Sequence, residues 1–294
     1  MSEQNPTQQL AGEIDSLKRG LDELREKVRL EEARREVERL DGAVTDLRRS
    51  LLDLRERGYK FEPELDGRVD DLARRWSEGR PHVLRDLERV AISLEREFLP
   101  IEADVARLAA GGPRAFNAAR QLQQTKASAD SLGQRAESEA RSLRAAYEPL
   151  ENEAEQLSAH IKEIGWSFEQ LAEASFKLQD GEGLVRAVKA TLVRGEKETK
   201  EDPKGILFLS DKRLLFEQKQ DVATKKVLFI TTQKQRVQSL YFEAPLAQVR
   251  QVRAMKAGLL GHEDHIEADL AQGTAHFHLD GQDCALWQRL LSDH

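Results

Sequence analysis

The sequence predicts an α+β, multidomain protein: a long α-helical coiled-coil region followed by a small antiparallel β domain that closes with a helix. Three observations carry that reading. Charged residues make up 34% of the chain and aromatics only 5%, a balance that suits extended helices with one wet face better than a single globular core. Apolar residues recur at steps of three and four from about residue 10 to 178. Beyond Asp180-Gly181-Glu182-Gly183 they become alternating or consecutive, and turn residues recur at short intervals.

Residues 1–9 precede the periodic pattern and are expected to be disordered. Ile14, Leu17, Leu21, Leu24 and Val28 then follow the a/d rhythm of a heptad. The phase slips around Glu31–Glu36 and resumes with Val37, Leu40, Val44, Leu47, Leu51 and Leu54, a slip that changes supercoiling without requiring the helix to end. Breaks are expected near 58–66, where Pro63 disfavours helical geometry in the residue before it, and at Gly79-Arg80-Pro81. A third is expected at Gly111-Gly112-Pro113, where glycine stops one helix and proline opens the next. Between the last two, the apolar stripe from Leu84 to Leu108 stays in step through Pro100, which should kink the helix and not end it.

After residue 113 one row repeats every seven residues, from Leu122 through Leu143, Leu150 and Leu157 to Leu178, with a kink expected at Pro149. Gly111–Pro113 reads as a hairpin tip, with 82–110 folding back on 114–145. The stripes fit an extended coiled coil, or alternatively helices of a compact bundle. In the coiled-coil reading Leu17, Leu21, Leu24, Leu40, Leu47, Leu54, Leu143, Leu150 and Leu157 form a self-association seam, and a homo-oligomer, by default a dimer, is the implied partner state.

In the β domain, strands are expected near Leu184–Arg194, Gly205–Ser210, Arg213–Gln218, Val227–Thr231, Val237–Phe242, Gln251–Met255, His265–Leu270 and Thr274–Leu279. A last helix, Asp283–Ser292, has the apolar face Leu286, Trp287, Leu290 and Leu291. With Asp211-Lys212 as a two-residue turn, Leu209 faces Leu214 and Leu207 faces Phe216. The opposite face then holds Phe208 beside Leu215, so a helix or a second copy is expected to cover it. With Gln272-Gly273 as another turn, Ala268 faces Phe277 and Ile266 faces Leu279, while Asp269 meets His276 and Glu267 meets His278 outside.

The run Gly205-Ile206-Leu207-Phe208-Leu209-Ser210-Asp211-Lys212-Arg213-Leu214-Leu215-Phe216 resembles the GRAM-family strand–turn–strand pattern G-x-L-x-L-T/S-D-x-R-L-x-F. The closing helix with Trp287 is similar to the helix that plugs one end of a PH-like barrel. The resemblance covers residues 181–294, behind a coiled-coil region of bacterial type spanning 10–180. It implies a seven-stranded, partly open PH-like β barrel capped by one helix, whose relatives bind phosphoinositides, other membrane lipids or protein segments and do no chemistry. In that family the loop between the first two strands often carries the lipid-phosphate site. Arg194, Lys197, Lys200 and Lys204 stand in it here, and Lys212 and Arg213 in the next turn complete a candidate surface for an anionic ligand or a partner. Four acids in the same loop oppose a phosphate site, and Ile206–Leu209 lacks the basic pair of the lipid-binding pattern. The stretch Val227–Thr231 is an addition to the minimal pattern.

Residues 184–262 hold 16 Lys and Arg against 8 Asp and Glu, whereas 263–294 hold 1 Arg against 7 acids. A positive side could meet anionic lipid or dock acidic helices. His262, His265, His276 and His278 raise a metal site, which the expected register answers with cross-strand carboxylates, leaving ordinary surface ion pairs. No cofactor is expected: the chain has no phosphate-binding glycine loop, and Cys284, the single cysteine, opens an amphipathic helix. The net charge of −7 argues against nucleic acid as a partner, although a chromosome-associated coiled-coil protein is the alternative from another class. The absence of a long apolar run and of a secretory pattern at the N-terminus suggests a cytoplasmic protein, with the inner face of the membrane as a peripheral site. The function expected from these readings is a non-enzymatic scaffold or adaptor, binding a protein partner or a membrane surface.

Overall fold

The computed structural model describes residues 6–111, 117–227, 230–258, 262–271 and 273–292, with the backbone alone at 6–7, 221–227 and 230–236. The elements are α1 (Pro6–Val28), α2 (Glu31–Glu56), α3 (Glu64–Gly111), α4 (Ala118–Arg144), α5 (Glu148–Ala172), β1 (Leu184–Val193), β2 (Lys204–Ser210), β3 (Arg213–Val227), β4 (Ile230–Pro245), β5 (Val249–Ala257), β6 (Glu263–Leu270), β7 (Gly273–Asp280) and α6 (Cys284–Ser292). They form two compact units: Met1–Arg48 with Leu65–Ser158, and Arg49–Glu64 with Ala159–His294. The division falls inside α2 and inside α5.

In the first unit, ion pairs give the direction of each helix. Arg29 meets Glu95 (3.1 Å), Arg34 meets Glu88 (2.9 Å) and Arg48 meets Asp70 (2.8 Å), one number rising as the other falls, so α3 is antiparallel to α1 and α2. Glu13 with Lys126 (2.5 Å), Lys27 with Glu137 (2.7 Å) and Glu36 with Arg144 (3.1 Å) rise together, so α4 is parallel to α1 and α2. The result is an up-down-up bundle within one chain. Pairs at or near the surface contribute little to stability, so they report the alignment more than they hold it.

The buried rows hold the bundle. Leu21, Leu24, Leu40 and Leu47 of this unit, Leu157 of α5, and Leu54 in the second unit are all buried within the single chain, and Leu17, Leu143 and Leu150 are half-buried. The heptad spacing therefore served an intramolecular bundle, which needs the same apolar stripe as an extended coiled coil. Trp76 is buried with its indole Nε1 donating to Asp41 Oδ1 at 3.0 Å.

Several helix boundaries differ from expectation. Order begins earlier, since α1 covers residues 6–9. The phase slip is a true interruption: Leu30 has φ 56°, and α2 restarts with Glu31 and Glu32, whose charges favour a helix N-terminus. The break expected at 79–81 is absent. Helix α3 runs through Pro81 as well as Pro100 because Val69, Leu72, Trp76, Val83, Leu87 and Leu94 stay buried on one stripe across Pro81, and their packing outweighs the lost hydrogen bond. Pro149 does not kink a continuous helix; it lies in the first turn of α5, where no donor is needed. Tyr147 in the preceding gap is fully buried and donates its hydroxyl to Glu36 at 2.7 Å. The tip expected at Gly111–Pro113 falls mostly outside the described residues.

The second unit is built on a seven-stranded antiparallel sheet in the order β4-β3-β2-β1-β7-β6-β5. All seven strands send side chains into one core, which α6 enters with Cys284, Trp287 and Leu291. The sheet is strongly curled. Phe242 on β4 and Phe277 on β7 lie four strand positions apart, which would be about 19 Å in a flat sheet, yet their ring centroids are 5.7 Å apart. The two edge strands are consecutive in sequence, joined only by the short turn Leu246–Gln248. Strand number and closing helix are those the resemblance implies, and no ladder joins β4 to β5 among the described residues.

The first hairpin has the expected register, Leu209 opposite Leu214 and Leu207 opposite Phe216. The expected strand Val227–Thr231 is instead the end of a long β3–β4 hairpin, in which Val227 pairs with Ile230. The β6–β7 hairpin is shifted by two residues: Leu270 pairs with Gly273, Ile266 with Phe277, Glu267 with His276, and His265 with His278. An even shift leaves every side chain on its expected face and changes every neighbour.

Candidate functional site

The outer face of the sheet, opposite the core, divides into a covered part and an open part. Phe208 and Leu215 lie in the covered part, and the expected covering element is the chain's own. Ser167 of α5 accepts the Ala187 amide of β1 at 2.9 Å and donates to Glu163 O at 3.0 Å. Phe176 packs edge-on against Phe208 with centroids 5.1 Å apart. Lys219 of β3 reaches Glu173 at 2.7 Å and Gln170 at 3.2 Å.

A buried arginine completes this seam. Arg186 on β1 is 1% exposed and donates to Glu163 at 3.0 Å and Glu62 at 3.4 Å. Glu62 also holds His160 at 2.5 Å. Burial works against the Glu62 charge, but His160 and the neighbouring cations outweigh it and leave its carboxyl below the usual range. Arg55 donates to the carbonyls of Tyr59, Phe61 and Glu62, which fixes the linker that carries Glu62. Sequence reasoning missed Arg186, because strand periodicity treats a charge amid apolar neighbours only as a facing choice.

The six basic candidates do not form one surface. Arg213 is buried in a network with Glu182 (2.6 and 3.0 Å) and Glu243 (2.6 Å), which holds its guanidinium firmly protonated. It is spent on structure and is corrected out of any exposed anion site. Lys212 donates to Asp180 O at 2.9 Å beside it. Arg194, Lys197, Lys200 and Lys204 lie at the other end of β2, about 20 Å away by strand rise. That loop is organised around a buried carboxylate: Asp202 accepts the Thr199 amide at 2.7 Å and both the amide and Nε of Arg194 at 3.3 Å. Burial opposes the Asp202 charge, but those donors outweigh it and its carboxyl stays below its ordinary range. Lys197 and Lys200 are exposed on the loop.

The sheet brings Lys204 together with residues that no motif marked. Cross-strand pairing aligns Lys204 of β2, Thr191 of β1 and His278 of β7 in one row. With Lys189 and Gln220 they line an open cleft of about 560 Å³. Glu198 closes one side, accepting from His278 Nδ1 at 2.6 Å and lying 3.9 Å from Lys204. Lys189 and Lys204 are the exposed cations of the cleft, and Asp280 stands across from Lys189 in the register. The arrangement can take an acidic group by charge and hydrogen bonding.

No family model matches the chain, and no curated protein matches it. Among solved structures, the DH/PH domains of p115-RhoGEF align with 99% of this chain and 94% of that one at 12% identity, with a TM-score of 0.25. A mutant of the same domains aligns with 92% and 97% at 14% identity, also with a TM-score of 0.25. Among the described residues, no helix is long and apolar enough to cross a membrane.

Proposed function

We propose that the chain is a non-enzymatic adaptor in which a PH-like domain of the GRAM type binds a protein partner through the outer face of its sheet. The observation that carries this reading is that the face already binds protein: α5 and the segment after it lie on β1–β3 through Ser167, Phe176 and Glu173. The open cleft continues that surface and exposes Lys189 and Lys204, so an acidic segment is the fitting partner. Six of the nine seam leucines are buried within the chain and Leu17, Leu143 and Leu150 are half-buried, so the adaptor is proposed to act as a monomer.

An anionic membrane surface is the second reading, favoured by the basic excess of residues 184–262. Co-sedimentation of the full chain with neutral and phosphatidylserine-containing vesicles separates the two. The protein-partner reading expects no pelleting with either. Pelleting with anionic vesicles that Lys189→Glu and Lys204→Glu abolish would replace it with the membrane reading. A photo-crosslinker at position 189 gives the positive arm: a discrete adduct in extract of the source cells, lost on Lys204→Glu, supports an acidic protein partner.

A further inference from the structure

We propose that His265, His276 and His278 bind one divalent transition-metal ion of the zinc class on the outer face of β6 and β7. His276 and His278 are two apart on β7 and share a face, and His265 pairs directly across from His278 on β6. Three imidazoles from two adjacent strands thus meet on one patch. His265 Nδ1 and His276 Nε2 are 3.0 Å apart. Two nitrogens bound to one tetrahedral zinc at 2.0–2.1 Å stand about 3.3 Å apart, so this pair already has close to the ligand spacing. The His278 ring stacks on His265 with centroids 4.6 Å apart and an interplanar angle of 15°; a swing of the His278 side chain about its Cα–Cβ bond, with the Glu198 carboxylate following Nδ1, would bring Nε2 toward the pair.

The protonation states also fit. The Glu198 carboxylate accepts from His278 Nδ1 at 2.6 Å, which leaves the lone pair on Nε2. A carboxylate behind a histidine in this way is the usual outer support of a metal-binding imidazole. His265 is 5% exposed, and its Nε2 has no hydrogen-bond partner, with Glu263 nearest at 3.6 Å. A buried polar atom without a partner is costly, and a polarising ion on the other ring nitrogen would draw Glu263 in as its acceptor. An all-imidazole set selects zinc, copper or nickel over calcium or magnesium.

Asp264, Asp283 and Cys284 already hold their possible ligand atoms within 4.8 Å of one another. There Asp264 already accepts Lys256 Nζ at 2.6 Å and the Cys284 amide at 2.8 Å, so an ammonium fills the cation's role. Glu267, opposite His276, is drawn toward Arg253 at 3.5 Å, which leaves the fourth position on the metal to solvent.

The test is calorimetric titration of metal-stripped full-length chain with zinc chloride, with cobalt(II) absorption as a second readout of coordination. One ion per chain is expected. His278→Gln, at a half-exposed position, should weaken binding more than tenfold, and Glu198→Gln, which removes only the support, by about tenfold. Circular dichroism checks that both variants stay folded. No saturable binding by the wild type would overturn the proposal. So would unchanged affinity in both variants, or a loss caused by Asp264→Asn instead.

Discussion

Replacing Gly205 with alanine should part the two strands of the β2–β3 hairpin. A Cβ at that position would stand 1.8 Å from the Glu217 carbonyl oxygen and 2.9 Å from the Gln218 Cα. An ordinary carbon–oxygen contact needs about 3.3 Å, so β3 must move by about 1.5 Å, and both obstacles are backbone with no rotamer to yield. The shift weakens the Gly205–Gln218 pairing, at about 1 kcal/mol for each hydrogen bond, and overpacks the start of β2 at about 1–3 kcal/mol. The sum is about 2–4 kcal/mol. For a folding unit of this size each kcal/mol lowers Tm by about 2–4 °C, so a fall of about 5–15 °C is expected. Urea unfolding followed by tryptophan fluorescence, which includes Trp287 of the sheet core, measures it. Gly12→Ala is the paired control, since nothing lies within 4 Å of that helical glycine and a gain of about 0.5–1 kcal/mol is expected. Equal stability of Gly205→Ala and wild type, within 0.5 kcal/mol or so, would refute the close approach of β2 and β3.

Three further outcomes follow from named contacts. Ser167→Ala leaves the buried Ala187 amide without its acceptor, and a loss of about 1–3 kcal/mol in urea unfolding is expected, with faster exchange of that amide. Glu182→Gln should lower stability at pH 7 by about 2 kcal/mol, since Glu243 still pairs with Arg213. Burial opposes the Glu182 charge, but Arg213 and Ser210 outweigh it and its folded pKa lies below the ordinary value. Its contribution is therefore complete above the unfolded pKa and fades as pH falls through the folded one, so wild type and variant should converge in acid; a gap that persists or widens there would count against the pairing. Pro100→Ala, exposed inside α3, should raise stability by up to about 3 kcal/mol, and a loss would mean that the kink is needed for packing.

The parts of the fold that were legible in the sequence are those governed by local period. Alternation assigned inward and outward faces correctly even where the β6–β7 register slipped, because a shift of two preserves parity. The slip arose at the turn: Gln272-Gly273 looks like the turn pair, but Gly273 pairs with Leu270, which moves the turn back by one residue. That shift put His265 in place of Glu267 opposite His278, while His276 exchanged one carboxylate for another, so a two-residue register error concealed the histidine cluster. Helix ends were legible where glycine and buried packing agreed, as at Gly58, and illegible at Pro81, where tertiary burial overrode a local breaker. The seam leucines show the limit of periodicity. A heptad states that a stripe will be buried and is silent on whether the partner helix belongs to the same chain. The cleft was hidden for a related reason. Lys189, Lys204 and Lys219 come from three strands and meet only through cross-strand pairing.

Whether the leucine rows close inside one chain is tested most directly by the solution mass of the full-length protein. Sedimentation equilibrium over a wide concentration range should give a single species at the chain mass of 33.4 kDa. A stable species at twice that mass, dissociating only when Leu24, Leu47 and Leu157 are replaced, would show that the rows join two chains and would contradict the intramolecular bundle.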